Sequence, residues 1–398
     1  MSVPGSRQYH DSLLEDVLPF WESHSPDREC GGFFTCLDRA GAVYDTDKFV
    51  WLQGRQTWLY AMLFSQLEKR PDWLSMAKHG ADFLRRHGRD GEGNFYFALA
   101  RDGTPLVQPA SIFSDCFAAM AFSQYGLAAG DEQARGIALA TFENVLLRRS
   151  TPKGKYSKDV PGSRPMRSLA LPMILLNLTL ELEWILGPGR THETLDALLN
   201  EVFAYFHDRD RNILFEHVAP DGTHPDTFDG RLLNPGHALE ATWFIMEAAQ
   251  KIGRHDLVDR AVGIMVDTLE LGWDNEFGGI FYFLDALGKP PQQLEWDQKL
   301  WWVHCESLVA LALSWDLTHR ADCAAWFQKV HEYTWSHYPD PGFGEWFGYL
   351  NRRGEVLLPL KGGKWKGCFH VPRTLYKVWT ILERSAPAPG PIASDTKP

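Results

Sequence analysis

Three histidines fall near the starts of apolar segments in the second half of the chain: His237 in "NPGHALEATWF", His304 in "WWVHCES" and His370 in "FHVPRTLY". An imidazole at a helix N-terminus sits in the positive end of the helix dipole, which disfavours imidazolium and keeps the ring available as a base near neutral pH. At comparable positions stand Arg55, Ser111 with Asp115, Arg164 with Arg167, Glu240, Glu306 and Arg373, among the tryptophans Trp51, Trp301, Trp302 and Trp365. Bases, carboxylates and guanidinium groups inside an aromatic funnel describe a pocket for a small polar molecule. Each residue also has an ordinary structural role open to it: a histidine packed beneath the surface, a carboxylate favoured at a helix start, an arginine in solvent. What favours chemistry is the coincidence of three histidines at matching ends of successive segments. His237 with Glu240 is only a weak i,i+3 match and no HExxH pair is present, so no metal is expected.

The elements that must position these side chains come as a sixfold repeat. Short β-like pairs recur as "GGFFTCLDRAGAVYD", "GNFYFALARDGTPLV", "GKYSKDVPGSRP", "NILFEHVAPDGTHPD", "GGIFYFLDALGKPPQ" and "FGEWFGYLNRRGEVL". Five of them carry Asp or Asn shortly before Gly, the chemistry of a hairpin turn; the third uses Pro161-Gly162 instead. An apolar helical segment follows each pair, starting at Asp47, Pro109, Arg164, Pro235, Gln298 and Gly367, at spacings of 55 to 71 residues. A more charged, amphipathic segment precedes each pair. Helices that are apolar nearly all round belong inside and amphipathic ones outside. The pattern therefore predicts an all-α (α/α)6 barrel, one domain over residues 1–384, with hairpins covering one mouth. The Pro/Ala/Ser-rich tail 385–398 reads as disordered.

Composition narrows the partners. Of 398 residues 44% are hydrophobic and 23% charged, as in an ordinary globular protein, and the net charge of −11 argues against nucleic acid or an anionic membrane. No signal peptide or membrane-length apolar run is visible. Six cysteines without a CxxC pair suggest a reducing, cytoplasmic compartment.

The stretches "FVWLQGRQTW", "IFSDCFAAMAFSQY", "KGKYSK" with "GSRPM", "NPGHALEATWF" and "FHVPRTLY" closely resemble the N-acylglucosamine 2-epimerase family, especially its cyanobacterial-type enzymes, over about residues 10 to 384. The family also includes a mammalian renin-binding protein. The resemblance implies an (α/α)6 barrel, a homodimer, and interconversion of N-acetyl-D-glucosamine with N-acetyl-D-mannosamine. It implies that His237 and His370 are the two essential histidines, and that Arg55, Glu240, Glu306 and Lys158 stand on positions tied to activity or binding. The chemistry suits the residues. Inverting carbon 2 beside an open-chain aldehyde needs a proton removed from one face and returned on the other, which two histidines do directly as base and acid. Arg55 is the expected partner of the enolate oxygen. Glu306 and Glu240 are expected to orient the imidazoles or bind hydroxyls, and Asp115, His304, Trp302 and Arg373 to complete the sugar pocket.

The resemblance further implies a nucleotide such as ATP as an activator that is not consumed. No Walker A sequence is present. The expected site is the basic segment 153–167, with Lys153, Lys155, Lys158, Arg164 and Arg167; on charge alone it reads equally as a solvated loop. Three rival functions remain open at this level. An epimerase or isomerase of an unacylated sugar such as cellobiose or mannose would use the same histidines. A glycoside hydrolase would need Asp115 paired with Glu240 or Glu306. A non-enzymatic binder would need an exposed apolar patch.

Overall fold

The computed structural model describes residues 5–157, 160 and 162–385. The tail expected to be disordered lies, from residue 386 onward, outside the described residues, and so does Lys158.

Among the described residues, twelve main helices alternate between an outer and an inner ring. Helix α1 starts at Ser6, passes through a π-turn at Ser12–Val17 and ends at His24. It is followed by α2 (Val50–Gln66), α3 (Pro71–His87), α4 (Ile112–Ala129), α5 (Glu132–Arg148) and α6 (Ala170–Glu181). The second half contains α7 (Pro188–Glu201), α8 (Pro235–Lys251), α9 (His255–Gly272), α10 (Trp301–Thr318), α11 (Ala321–His337) and α12 (His370–Ser385). Even-numbered helices form the inner ring, each packed on the next. Helix α4 is buried almost continuously from Ile112 to Gly126, whereas α3 buries only Trp73, Ala77, Gly80, Ala81, Phe83 and Leu84, the i, i+4, i+7 stripe of an outer helix. The architecture is the (α/α)6 barrel, mostly helical with short strands. No helix among the described residues is long and apolar enough to cross a membrane.

The hairpins do more than cap one mouth. Strand β1 (Lys48–Phe49), which feeds α2, pairs antiparallel with β2 (Ala98–Leu99) of the next repeat, and β2 then pairs with β3 (Pro105–Val107). The same lacing joins β4 (Arg167–Ser168) to β7 (His217–Val218), while β5 (His207–Asp208) and β6 (Ile213–Leu214) pair within their own repeat. It also joins β8 (Leu232–Leu233) to β9 (Leu284–Asp285), and β10 (Lys299–Leu300) to β11 (Tyr349–Leu350), which goes on to β12 (Val356–Leu358). Four of the predicted apolar segments begin with strand residues or loop, so their helices start three residues late; the α8 segment starts at Pro235 as predicted. The third copy differs more. Its described residues hold a 3-10 turn at Gly154–Tyr156 and a left-handed Arg164 (φ 75°), and no hairpin of their own, so α6 starts at Ala170 rather than Arg164.

Candidate active site

The inner helices all present their N-terminal ends to the hairpin mouth, and two of them begin with the chemistry. On α8, Asn234 accepts the His237 backbone N–H at 3.1 Å and Pro235 fills the first turn, which explains the Asn-Pro-Gly-His run as a helix start. Gly236 is required by packing: a Cβ there would lie 2.5 Å from the Trp302 ring. Helix α12 opens directly at His370. The indole of Trp302, on α10, packs against both imidazoles, its centroid 5.3 Å from that of His237 and 6.0 Å from that of His370.

Each imidazole is held by its own carboxylate. His237 Nδ1 is 2.8 Å from Glu216 Oε2, and His370 Nδ1 is 2.7 Å from Glu306 Oε1. An ionised carboxylate only accepts, so each Nδ1 carries the proton and each Nε2 is left to exchange one. Glu306 is anchored from two further directions, by the Trp243 indole N–H at 2.9 Å and by Arg373 Nη2 at 2.6 Å, and the same Nη2 reaches Glu240 at 3.0 Å.

The two histidines are tuned apart. Burial pushes His370 down to about 3, the attraction of Glu306 being too small to offset burial together with the nearby positive charges of Arg55 and Arg373. Burial acts the same way on His237, but there the Glu216 carboxylate prevails and the net shift is upward. Glu306 is buried too, yet Arg373 and His370 hold it ionised, at about 2. Burial and repulsion from Glu306 raise Glu240. One site thus holds a neutral imidazole and a readily protonated one, the arrangement a proton-transfer pair needs.

Arg55 faces the same cluster from α2. Its guanidinium carbon lies 4.0 Å from the Phe117 ring centroid, 4.7 Å from Trp51 and 4.9 Å from Phe369. Burial lowers it to about 9, so it is charged at neutral pH, and among the described residues no carboxylate pairs with it and its Nε has no partner. A charge held by aromatic faces alone is free to meet a developing oxyanion.

Two expected pocket residues do not join this group. His304 is fully buried, with Nδ1 against the Leu300 carbonyl at 2.8 Å and the Tyr338 hydroxyl at 2.9 Å, while Nε2 accepts the Ile280 N–H at 3.1 Å. It is a packing histidine, pushed down to about 3 by burial. The reason is helical geometry: Trp302 and Glu306, four apart, share the inward face, and His304 lies two residues from each, on the opposite side. Asp115 is displaced by the same rule, two residues before the inward Phe117. It accepts the Phe95 N–H at 3.1 Å and lies 2.9 Å from Arg148. The carboxylate pair that a glycosidase reading drew from Asp115 is therefore not assembled.

Two contributors were missed. Glu216 stands in the hairpin run "NILFEHV", where a lone carboxylate among apolar residues was the available signal. Trp243 stands inside "NPGHALEATWF", where nothing in the sequence separates it from its apolar neighbours. Glu240, expected to orient an imidazole or to bind hydroxyls, accepts a hydrogen bond from Arg373. Glu240, Glu306 and His370 offer ligand atoms within 4.8 Å of one another. The guanidinium of Arg373 bonds both of those carboxylates, placing a resident cation at that spot.

In the basic segment, Lys153, Lys155 and Arg164 are exposed, with Lys155 3.9 Å from Glu92. Arg167 is committed to Glu201 at 2.6 Å and stacks 3.8 Å over Tyr205. Lys158 is outside the described residues.

Known proteins match this chain over nearly its whole length. The family model described as N-acylglucosamine 2-epimerase (GlcNAc 2-epimerase) covers residues 32–372. An N-acylglucosamine 2-epimerase of Bos taurus is 40% identical, across 97% of this chain and 95% of its own. That of Mus musculus is 38% identical across 94% and 92%. Among solved structures, a cellobiose 2-epimerase from Bacillus thermoamylovorans superposes with a TM-score of 0.80 at 18% identity, covering 95% of this chain and 99% of its own, a likeness of fold. The chain belongs to the N-acylglucosamine 2-epimerase family.

Proposed function

We propose that this isomerase interconverts N-acetyl-D-glucosamine and N-acetyl-D-mannosamine by proton transfer at carbon 2 of the open-chain sugar. The observation that carries the reading is the pair of carboxylate-held imidazoles in contact with one indole, one neutral and one protonatable. In one direction, His370 Nε2 removes the carbon-2 proton. The electron pair moves into the carbon 1–carbon 2 bond and onto the aldehyde oxygen, whose charge the unpaired Arg55 stabilises. His237, as imidazolium, returns a proton to the other face of carbon 2 and the carbonyl re-forms. In the other direction the histidines exchange roles. Glu306 and Glu216 act as positioning residues, fixing each ring's tautomer, and Glu240, Trp302 and Arg373 shape the sugar pocket.

A nucleotide effector on the exposed charges of Lys153, Lys155 and Arg164, and a homodimer, complete the reading. The free thiols of the described cysteines suit a reducing, cytoplasmic compartment. The test is proton NMR with N-acetylmannosamine in D2O, with and without ATP. N-acetylglucosamine deuterated at carbon 2 is expected, with a rate that rises with ATP. Exchange in mannose or cellobiose alone moves the substrate to an unacylated sugar, and exchange in none of them overturns the two-histidine mechanism.

A further inference from the structure

Behind the catalytic cluster the barrel is hollow. A cavity of about 220 Å³ lies along the C-terminal halves of the inner helices. Its walls include Trp58, Met62 and Gln66, at i, i+4 and i+8 of α2, and Tyr376, Thr380 and Arg384 of α12. Arg373 is its roof and the floor of the active site. A helical side chain leans toward the helix N-terminus, so the guanidinium reaches up to Glu306 and Glu240. Arg373 is 2% exposed, and its buried Nε–H finds no partner. A buried donor left unpaired in a polar cavity is costly unless something occupies the space.

The charges in the walls are already matched. Lys377 Nζ bonds Glu247 at 2.7 Å, and Arg384 lies 2.6 Å from Asp316. Glu181 accepts the Trp58 indole N–H at 2.7 Å, and its burial raises it toward the neutral acid. An ionic ligand would have to break one of these pairs. The carbonyl ends of the inner helices also gather here, which disfavours an anion. An uncharged molecule with several hydroxyls can both donate to carboxylates and accept from Arg373, Lys377 and Gln66, with its C–H faces against Trp58 and Tyr376. We propose that this rear cavity is a second small-molecule site, taking an uncharged polyhydroxylated ring of about hexose size.

The test uses myo-inositol, which has no carbonyl to epimerise, so binding is read independently of the proposed reaction. Calorimetry on the full chain and crystals grown with inositol are expected to show one molecule in the rear cavity. Tyr376→Ala, which removes an aromatic wall, is expected to weaken binding at least tenfold. Thr380→Trp, which fills the space, is expected to abolish it, and melting curves report whether each variant is folded. Water alone in the cavity of inositol-grown crystals, or inositol affinity unchanged in folded Tyr376→Ala, overturns the proposal. Loss of carbon-2 exchange with inositol still bound in the rear would overturn the epimerase reading and leave this one standing.

Discussion

The two histidines stand in similar places and yet have different acid–base character, because their neighbours differ. Glu216 gives His237 its upward shift against burial; Glu306 gives His370 a similar hydrogen bond, but burial together with the charges of Arg55 and Arg373 outweighs it. Replacing Glu216 with Gln should let burial and Arg55 prevail, dropping His237 below its ordinary value of about 6.5. Where His237 must be protonated to act as acid, the rate falls as pH rises through its pKa. The high-pH limb of kcat for carbon-2 exchange is therefore expected to move to lower pH in Glu216→Gln, with kcat at pH 7 down by about 10²-fold. A limb that stays in place would show that Glu216 does not set the proton. The same bond makes His237 a stabilising group: its contribution is full below about pH 6.5 and fades as pH rises through the raised folded value. At this scale the sequence carried His237, His370, Arg55 and Glu306 by residue type and motif. It could not carry Glu216, whose role depends on a hairpin folding over a helix start 21 residues on. His304 matches the other histidines in distance from a helix start, and a face count at 100° per residue separates it from Trp302 and Glu306.

Helix placement was legible because it rests on period. Apolar and amphipathic segments alternate along the chain, and five of the six inner helices start within three residues of the position read from the sequence. Two features were not. The strand pairing runs between repeats, and nothing in a hairpin's own turn residues reports its partner in the next copy. The third copy departs because Arg167 is recruited into β4 and held by Glu201. The contact between α8 and α10 is the element-level feature with most bearing on chemistry, since Gly236 leaves room for Trp302 against both imidazoles. Gly236→Ala puts a methyl 2.5 Å from one indole carbon and 2.8 Å from Val303 Cγ2, which forces the ring or the helix to shift. The expected loss is about 1–3 kcal/mol in denaturant unfolding, the range for overpacking. The rate of exchange is expected to fall at least tenfold, as the shared indole moves from both histidines. Near-native rates with a large stability loss would mean that Trp302 packs the site without positioning the histidines.

Closure of the whole ring uses a device that recurs around it. Asp27 holds buried Lys48 and, from the next repeat, Arg101; Asp274 likewise holds Lys299 and Arg352. The third copy of this trio wraps from the last repeat to the first: Asp340 holds Lys361 at 2.9 Å and takes both Nε and Nη2 of Arg39, at 2.7 and 2.9 Å. Beside it, Asp38 pairs with Leu360, and the Leu37 carbonyl accepts from Lys361 and Gly362. An open superhelix would leave the last aspartate without its arginine, so the seam is the physical content of the barrel. The aspartates precede the runs "GGFF", "GGIF" and "GEWF" by four residues each, a spacing visible in the sequence whose meaning appears only once the ring is closed. Asp340→Asn strips Lys361 of its carboxylate in a buried place and releases Arg39, which leaves an uncompensated charge in the seam. The expected outcome is a melting temperature lower by several degrees and faster amide exchange at residues 37–43 and 360–362. Asp274→Asn, which breaks the same trio away from the seam, is expected to lower melting without that exchange signature. Equal exchange at the seam in both variants would mean that the barrel is closed by its inner helices, through Trp58 on Phe369, and that the laced hairpins merely follow.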